Sequence, residues 1–296
     1  MNTKEILSGI TYGADPEVFA TYNGRGGNYC IPPIAFETLY KVKPIIPDEK
    51  HPVYIDNQYF QWHMDGAAFE LRIKHPYRSF SSLYNVIQDA KSILSGWLKS
   101  YDYSLTVKPT VLFNTKRFWD KQDERFRQCV IFGCDADFDI FDPNYVCKTI
   151  DVSTYPYRHG GGHIHIGHTD KGIARTFHKY LYPFMQLLTI YVGNTCLAFS
   201  KYPEEEKLRS GNYGKPGKHR LPAYGVEYRT PSNSWLNVYD NNYYHIHNGI
   251  RKSVELLLNS VAGKRAIEAH FETANKAILE ANKPLAVDLF NIIWRY

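Results

Sequence analysis

Along this 296-residue chain, hydrophobic positions alternate with polar ones in some stretches and recur every three or four residues in others. Residues 79–100 carry the clearest helical spacing. Leu83, Val86, Ile87, Ala90, Ile93, Leu94, Trp97 and Leu98 share one stripe, and Ser79 or Ser81 is placed to cap it. Residues 10–22, 103–115, 128–141, 161–167 and 223–230 read as strands, the first interrupted at Pro16. Residues 34–78 read as short strands and turns ending in the strand-like AAFELRI, and the Gly- and Pro-rich stretch 23–33 as a loop. Residues 170–199 suit one or two helices, with Pro183 at a kink or boundary. Residues 200–222 read as a basic loop. Beyond about 240 the pattern is helical, split near Gly263, with a last segment starting near Pro284. Strands and helices are mixed without a steady βαβ alternation. That predicts an α+β fold, a curved and mainly antiparallel sheet with helices on one face, in a single domain 1–296 whose part from about 240 to 296 is helical.

Composition narrows the class. A hydrophobic content of 44% supports a large core and excludes wholesale disorder. The net charge of +5 is spread without a long basic run, so nucleic acid is not the expected partner, whereas nucleotides and acidic substrates suit the field. The five cysteines are odd in number and form no CxxC, which argues against a disulfide framework and a cysteine zinc site and for small buried thiols. The N-terminal stretch lacks a signal-peptide core. The most apolar stretch, Leu181 to Phe199, contains Pro183, Gln186 and Asn194 and reads as a buried helix rather than a membrane span. A cytoplasmic protein with no membrane partner is expected.

Five strand-like segments share one chemical pattern. GADPEVF sets Asp15 and Glu17 two apart, FELRI sets Glu70 and Arg72, GCDADFDIF sets Asp135, Asp137 and Asp139, GGGHIHIG sets His163 and His165, and YGVEYRTPS sets Glu227 and Arg229. On a strand, positions i and i+2 point to one side. Each segment therefore aims a pair of ionisable groups at one sheet face, while Val18, Phe19, Phe69, Leu71, Ile73, Ile164 and Ile166 point to the other. Crowded carboxylates repel unless a cation neutralises them, and an oxygen-rich set with a minority of imidazole suits Mg²⁺ or Mn²⁺. Three glycines before HIH allow a close approach to a ligand. The stretch KLRSGNYGKPGKHR adds Lys207, Arg209, Lys215, Lys218 and Arg220 among glycines, a candidate loop over nucleotide phosphates, although it is not a Walker motif. Any one pair alone is more often a solvated strand face; their recurrence across separate segments points to a site.

These segments resemble the glutamine synthetase and glutamate–cysteine ligase superfamily. GADPEVF looks like its GxExE strand, GGGHIHIG its HxH strand and VEYRTPS its ExR strand, in the same order. The resemblance is strongest to phage-encoded carboxylate–amine ligases of the second type and spans positions 12 to 232. It implies a glutamine-synthetase-like catalytic domain using ATP with Mg²⁺ or Mn²⁺ to join a small-molecule or peptide carboxylate to an amine through an acyl phosphate, in the host cytoplasm if phage-encoded. Asp15, His163 and Glu227 would hold the metal nearer the ATP phosphates, and Glu17 and Glu70 the metal nearer the acceptor. Arg229, Glu17 and Glu227 would act in catalysis. Arg209, Lys215, Lys218, Arg220 and Arg229 would bind phosphate. His165, Asp65, Asp135, Asp137 and Arg72 would contact substrate or support the ligands. Asp15 stands where that family carries Glu, one methylene longer. Two other readings of the same residues remain: a metal-dependent hydrolase, and a nonenzymatic protein that binds metal or nucleic acid.

Overall fold

The computed structural model describes residues 3–24, 27–45, 51–119, 124–129, 138–142, 151, 154–237 and 243–295. Within them the chain forms strands β1 (Ile10–Ala14), β2 (Glu17–Gly24), β3 (Gly27–Ile31), β4 (Val53–Asp56), β5 (Phe60–Asp65) and β6 (Ala68–Ile73), then β7 (Ser104–Thr106), β8 (Thr110–Phe113), β9 (Phe138–Asp139) and β10 (Tyr157–His159), and last β11 (Ile164–His168), β12 (Lys218–Arg220) and β13 (Gly225–Tyr228). The helices of the first half are α1 (Thr3–Ser8), α2 (Ile34–Leu39), α3 (Phe80–Lys99), α4 (Thr115–Trp119) and α5 (Glu124–Gln128). They are followed by α6 (Lys171–Lys179), α7 (Leu181–Leu188), α8 (Asn194–Phe199) and α9 (Pro203–Ser210), with α10 (Tyr243–Leu258), α11 (Ser260–Leu279) and α12 (Lys283–Ile293) closing the chain. The fold is α+β, as the mixed pattern predicts. No helix among the described residues is long and apolar enough to cross a membrane.

The strands form two sheets rather than the single one expected. One has the order β1-β11-β13-β12-β9 and is antiparallel throughout. The other runs β10-β8-β3-β2-β6-β5-β4, with β7 also on β2, and its β3–β8 pair is parallel. The division falls at Pro16. Proline has no N–H to extend the β1–β11 ladder, and its carbonyl instead accepts from Leu71 N at 3.0 Å. The chain thereby passes from one sheet to the other within three residues.

The sheets are rejoined at the three glycines. Glu17 N donates to Gly161 O at 2.9 Å, and Gly161 N donates to Glu17 Oε2 at 2.7 Å. Gly162 N reaches Pro231 O at 3.0 Å, and Trp235 Nε1 reaches Gly162 O at 2.9 Å. The glycines thus admit the protein's own 231–235 segment: a Cβ at Gly162 would strike the Ser232 carbonyl and the indole of Trp235.

One face of each sheet builds the core. Ile10, Tyr12, Ile164, Ile166, Val226 and Tyr228 are buried on the first sheet, and Phe60, Trp62, Phe69 and Leu71 on the second. Helix α3 packs beneath, burying Leu83, Ile87, Ala90, Leu94 and Leu98 at the expected spacing, and Ser79 caps it. Ile93 of the same stripe is exposed. Trp62 Nε1 donates to Ala90 O at 3.0 Å, satisfying a polar atom in that interface.

Five local expectations differ. Residues 27–31 pair with β2 as a hairpin strand instead of a loop, and 34–39 are helical. The supposed loop 200–222 contains α9 and β12, so only 211–217 connects them irregularly; Pro203 and three acids in the first turn favour α9. The C-terminal helices divide at Asn259, whose side chain caps α11 through Ala262 N, and not at Gly263. The strand expected over 128–141 is described only at its ends, where 124–128 is helical and 138–139 pair with β12; Asp135 and Asp137 lie outside the described residues. Cys30, Cys129 and Cys196 are buried free thiols, as expected.

Two glycine substitutions should separate these packing constraints in chemical denaturation. Gly162→Ala should cost about 1–3 kcal/mol through forced backbone displacement. Gly96→Ala, exposed in α3 with open space around it, should stabilise by about 0.5–1 kcal/mol.

Candidate functional site

The polar faces of the two sheets line a cavity of about 590 Å³. From the first sheet and its connections come Asp15, His163, His165, Arg220, Tyr224 and Arg229; from the second come Glu17, His63, Asp65, Glu70 and Arg72. Register explains the convergence. His165 lies opposite Glu227 in the β11–β13 ladder, and Glu17 lies opposite Glu70 between β2 and β6. Cross-strand neighbours at such positions project together.

Asp15 is the junction of the first half. Its Oδ1 sits 3.2 Å from His163 Nδ1 and 3.2 Å from His165 Nε2. His163 Nδ1 is also 3.8 Å from Glu227 Oε1. Burial opposes the charge on Asp15, but His165 and His163 beside it hold its carboxyl well below the usual range. Burial likewise opposes protonation of His165, and the adjacent Asp15 carboxylate outweighs it and raises the imidazole. Glu227 is buried and bonded through Oε1 to Arg229 Nη1, with Arg220 Nη1 at 3.8 Å.

The second half is less fully compensated. Burial pushes Glu17 up to about 7; His163 pulls against it, while Asp65 and Glu70 add to the rise. Burial, followed by repulsion from Asp15 and Asp65, drives Glu70 well above the usual carboxylate range. His63 Nε2 lies 3.0 Å from Glu70 Oε2.

The donor set fits a divalent cation. Asp15, His165 and Glu227 offer ligand atoms within 4.8 Å of one another, and Asp15 Oδ1 and His165 Nε2 are buried without a well-formed hydrogen bond. Five carboxylates, Asp15, Glu17, Asp65, Glu70 and Glu227, beside imidazoles supply the oxygen-rich chemistry of such sites.

The basic residues divide. Arg220 and Arg229 line the cavity, but Arg209, Lys215 and Lys218 do not. Arg209 is buried and donates to the carbonyls of Thr230 and Pro231 at 3.0 Å each, which makes it a clasp on the segment entering the seam. Lys215 is held through its carbonyl by Thr230 Oγ1, and Lys218 is buried at the start of β12. Three residues at the site escaped the sequence reading: His63 and Tyr224 line the cavity, and Tyr213 touches His163 from behind. His63 stands two positions before Asp65, so the same-face rule applied elsewhere would have found it. Tyr213 and Tyr224, each bonded to a histidine of HIH, had no signal to distinguish them among 24 tyrosines.

No protein-family profile matches this chain, and no curated protein matches it.

Glu17 sets a pH dependence for the metal-free protein. Its carboxyl is raised above its unfolded value, so the stability it contributes is complete below about 4.5 and is lost as pH rises through about 7. Glu17→Gln should therefore raise the stability of the metal-free protein at pH 8 by roughly 1–3 kcal/mol and leave it nearly unchanged at pH 4.5. Thermal melts of both proteins at the two pH values check this.

Proposed function

We propose that this chain is an ATP-dependent carboxylate–amine ligase with a glutamine-synthetase-type catalytic fold. The reading is supported by one observation above the rest: Asp15, Glu17, Glu70, His163 and Arg229, which the resemblance assigns to metal and phosphate, come from four separate strand segments and line a single cavity.

Asp15, Glu17, Glu70, His163 and Glu227 would hold divalent cations, which neutralise charge on the transferring phosphoryl group. Arg229 presents a planar guanidinium to the same group, and Arg220 adds a second positive charge at the cavity wall. The Glu227 carboxylate fixes Arg229 through Nη1. A substrate carboxylate oxygen would attack the γ-phosphorus of ATP, breaking the bond to ADP. An amine would then attack the acyl carbon, and phosphate would leave with the acyl oxygen. Water must be kept from the acyl phosphate, and the 211–217 connection, which places Tyr213 against His163 and Arg229, is the segment positioned to exclude it.

ADP and phosphate should be released only when ATP, a carboxylate and an amine are supplied together, with a new amide found by mass spectrometry. ADP release that ignores both co-substrates, or none with broad pools of either, would remove this reading. His163→Ala and Glu227→Ala should each lower turnover by at least about 100-fold while the protein stays folded, because removing a group from a crowded polar face does not open the core. Arg229→Lys should cost roughly 10²–10³-fold in kcat, with substrate affinity less affected.

A further inference from the structure

Both histidines of the HIH strand are backed by tyrosines from the stretch between α9 and β13, and the two tyrosines touch opposite ring nitrogens. Tyr213 Oη lies 2.9 Å from His163 Nε2. Tyr224 Oη lies 2.7 Å from His165 Nδ1, and its ring stacks on the imidazole with centroids 5.9 Å apart and planes 20° apart. The other nitrogens, His163 Nδ1 and His165 Nε2, each stand 3.2 Å from the same atom, Asp15 Oδ1, and His163 Nδ1 also lies 3.4 Å from Arg229 Nη1 and 3.8 Å from Glu227 Oε1. Successive inward positions of a strand point the same way, but nothing in that rule chooses the nitrogen each ring presents. That choice is made by the hydrogen bond at the other nitrogen.

We propose that Tyr213 and Tyr224 are positioning residues that turn both imidazoles toward Asp15, so that His163, His165, Asp15 and Glu227 form a mixed nitrogen–oxygen centre preferring a first-row transition cation over Mg²⁺. The proposal rests on the reading that this cluster holds a cation, and not on the ligase reaction. Mg²⁺ is a hard ion that keeps oxygen ligands and water, whereas imidazole favours transition cations. Two imidazoles beside two carboxylates therefore move the centre away from the oxygen-rich set expected from the strand pattern; the resemblance made His163 alone a ligand and left His165 to substrate or to support. When a cation takes Nδ1 of His163 and Nε2 of His165, each ring keeps its proton on the far nitrogen and donates it to the tyrosine oxygen. The hydroxyls thus hold orientation and tautomer together. Asp15, shorter than Glu by one methylene, keeps its carboxylate between the two rings.

Binding of Mn²⁺ to the full chain without nucleotide, followed by electron paramagnetic resonance, tests the proposal. The bound Mn²⁺ of the wild type should show ¹⁴N coupling from directly coordinated imidazole, and Mg²⁺ should displace it only in large excess. Tyr213→Phe and Tyr224→Phe should each weaken Mn²⁺ binding by about 10–100-fold and alter the ¹⁴N coupling, while Mg²⁺ affinity changes less. His165→Asn should reduce the nitrogen coupling without abolishing it. Absence of ¹⁴N coupling in the wild type, displacement by equimolar Mg²⁺, or unchanged Mn²⁺ binding in both tyrosine variants overturns the proposal. Should one tyrosine variant unfold, the wild-type spectrum and the other variant still decide. Nucleotide turnover is measured separately, so a chain that binds Mn²⁺ through nitrogen yet makes no amide loses the ligase reading and keeps this one.

Discussion

The structure turns on the reciprocal pair between Glu17 and Gly161. Glu17 donates its backbone N–H to Gly161 O and accepts Gly161 N on its side chain, while its own carbonyl accepts from Asn233 Nδ2 at 2.7 Å. One residue thereby fastens the first sheet, the second sheet and the 231–235 segment. The same residue carries a buried carboxyl facing Asp65 and Glu70. A displacement at this point would part the Asp15–His163 half of the cavity, with Glu227 behind it, from the Glu17–Glu70 half, because the two halves belong to different sheets and share no ladder across Pro16. Glycine serves here for steric reasons: at Gly162 the segments meet backbone to backbone and a methyl group would enter the Ser232 carbonyl, while at Gly160 and Gly161 it would enter the Asn233 side chain and the His163 ring.

The cavity is electrostatically lopsided. Asp15 is compensated by two imidazoles and Glu227 by Arg229 and Arg220, so both charges have protein partners at hand. Glu17 and Glu70 have less: a backbone N–H and the nearby His163 for the former, His63 and the charges of Arg72 and Arg229 for the latter, against burial and two other carboxylates each. Buried charge without a partner is avoided by protonation or by binding a cation. In the metal-free protein burial and mutual repulsion raise both groups and so favour their protonated forms. The half of the site with the least internal compensation is thus the half with most to gain from an added divalent ion. Its partly compensated neighbour, by contrast, must let a bound ion share Asp15 with two imidazoles.

Much of this was legible in the sequence, because a period of two transmits directly to a strand face. Glu17, Glu70, His163, His165 and Arg229 all line the cavity, as their i,i+2 spacing predicts, and Val18, Phe19, Phe69, Leu71, Ile164 and Ile166 turn to the core as the same rule requires, whereas Ile73, expected with them, lines the cavity at the end of β6. The division into two sheets was not legible. A proline in a strand announces an interruption, but only the tertiary partner, Leu71, decides where the chain goes next. The glycines were read as room for a ligand, and they are room for residues 231–235; small size signals a close approach without naming what approaches. Arg209 shows the limit of counting charges in a Gly-rich stretch. Its sequence neighbours suggest a solvated phosphate loop, yet burial in α9 spends its guanidinium on two main-chain carbonyls.

That placement of Arg209 completes a closed circuit of contacts around the site. Its guanidinium holds the carbonyls of Thr230 and Pro231, immediately ahead of the Asn233 that grips Glu17. Its opposite side lies 4.8 Å from the centroid of Tyr213, whose hydroxyl meets His163. His163 is two residues from Gly161, the partner of Glu17. The path from Glu17 through Asn233, Arg209, Tyr213 and His163 back to Gly161 therefore returns to its start through hydrogen bonds, one cation–π contact and short lengths of backbone. Such a ring restrains every member from two directions, which is how side chains on separate sheets keep the orientation that charge stabilisation demands. A buried arginine that never reaches the cavity contributes to the site more by fixing this ring than it could as one more positive charge on a mobile loop.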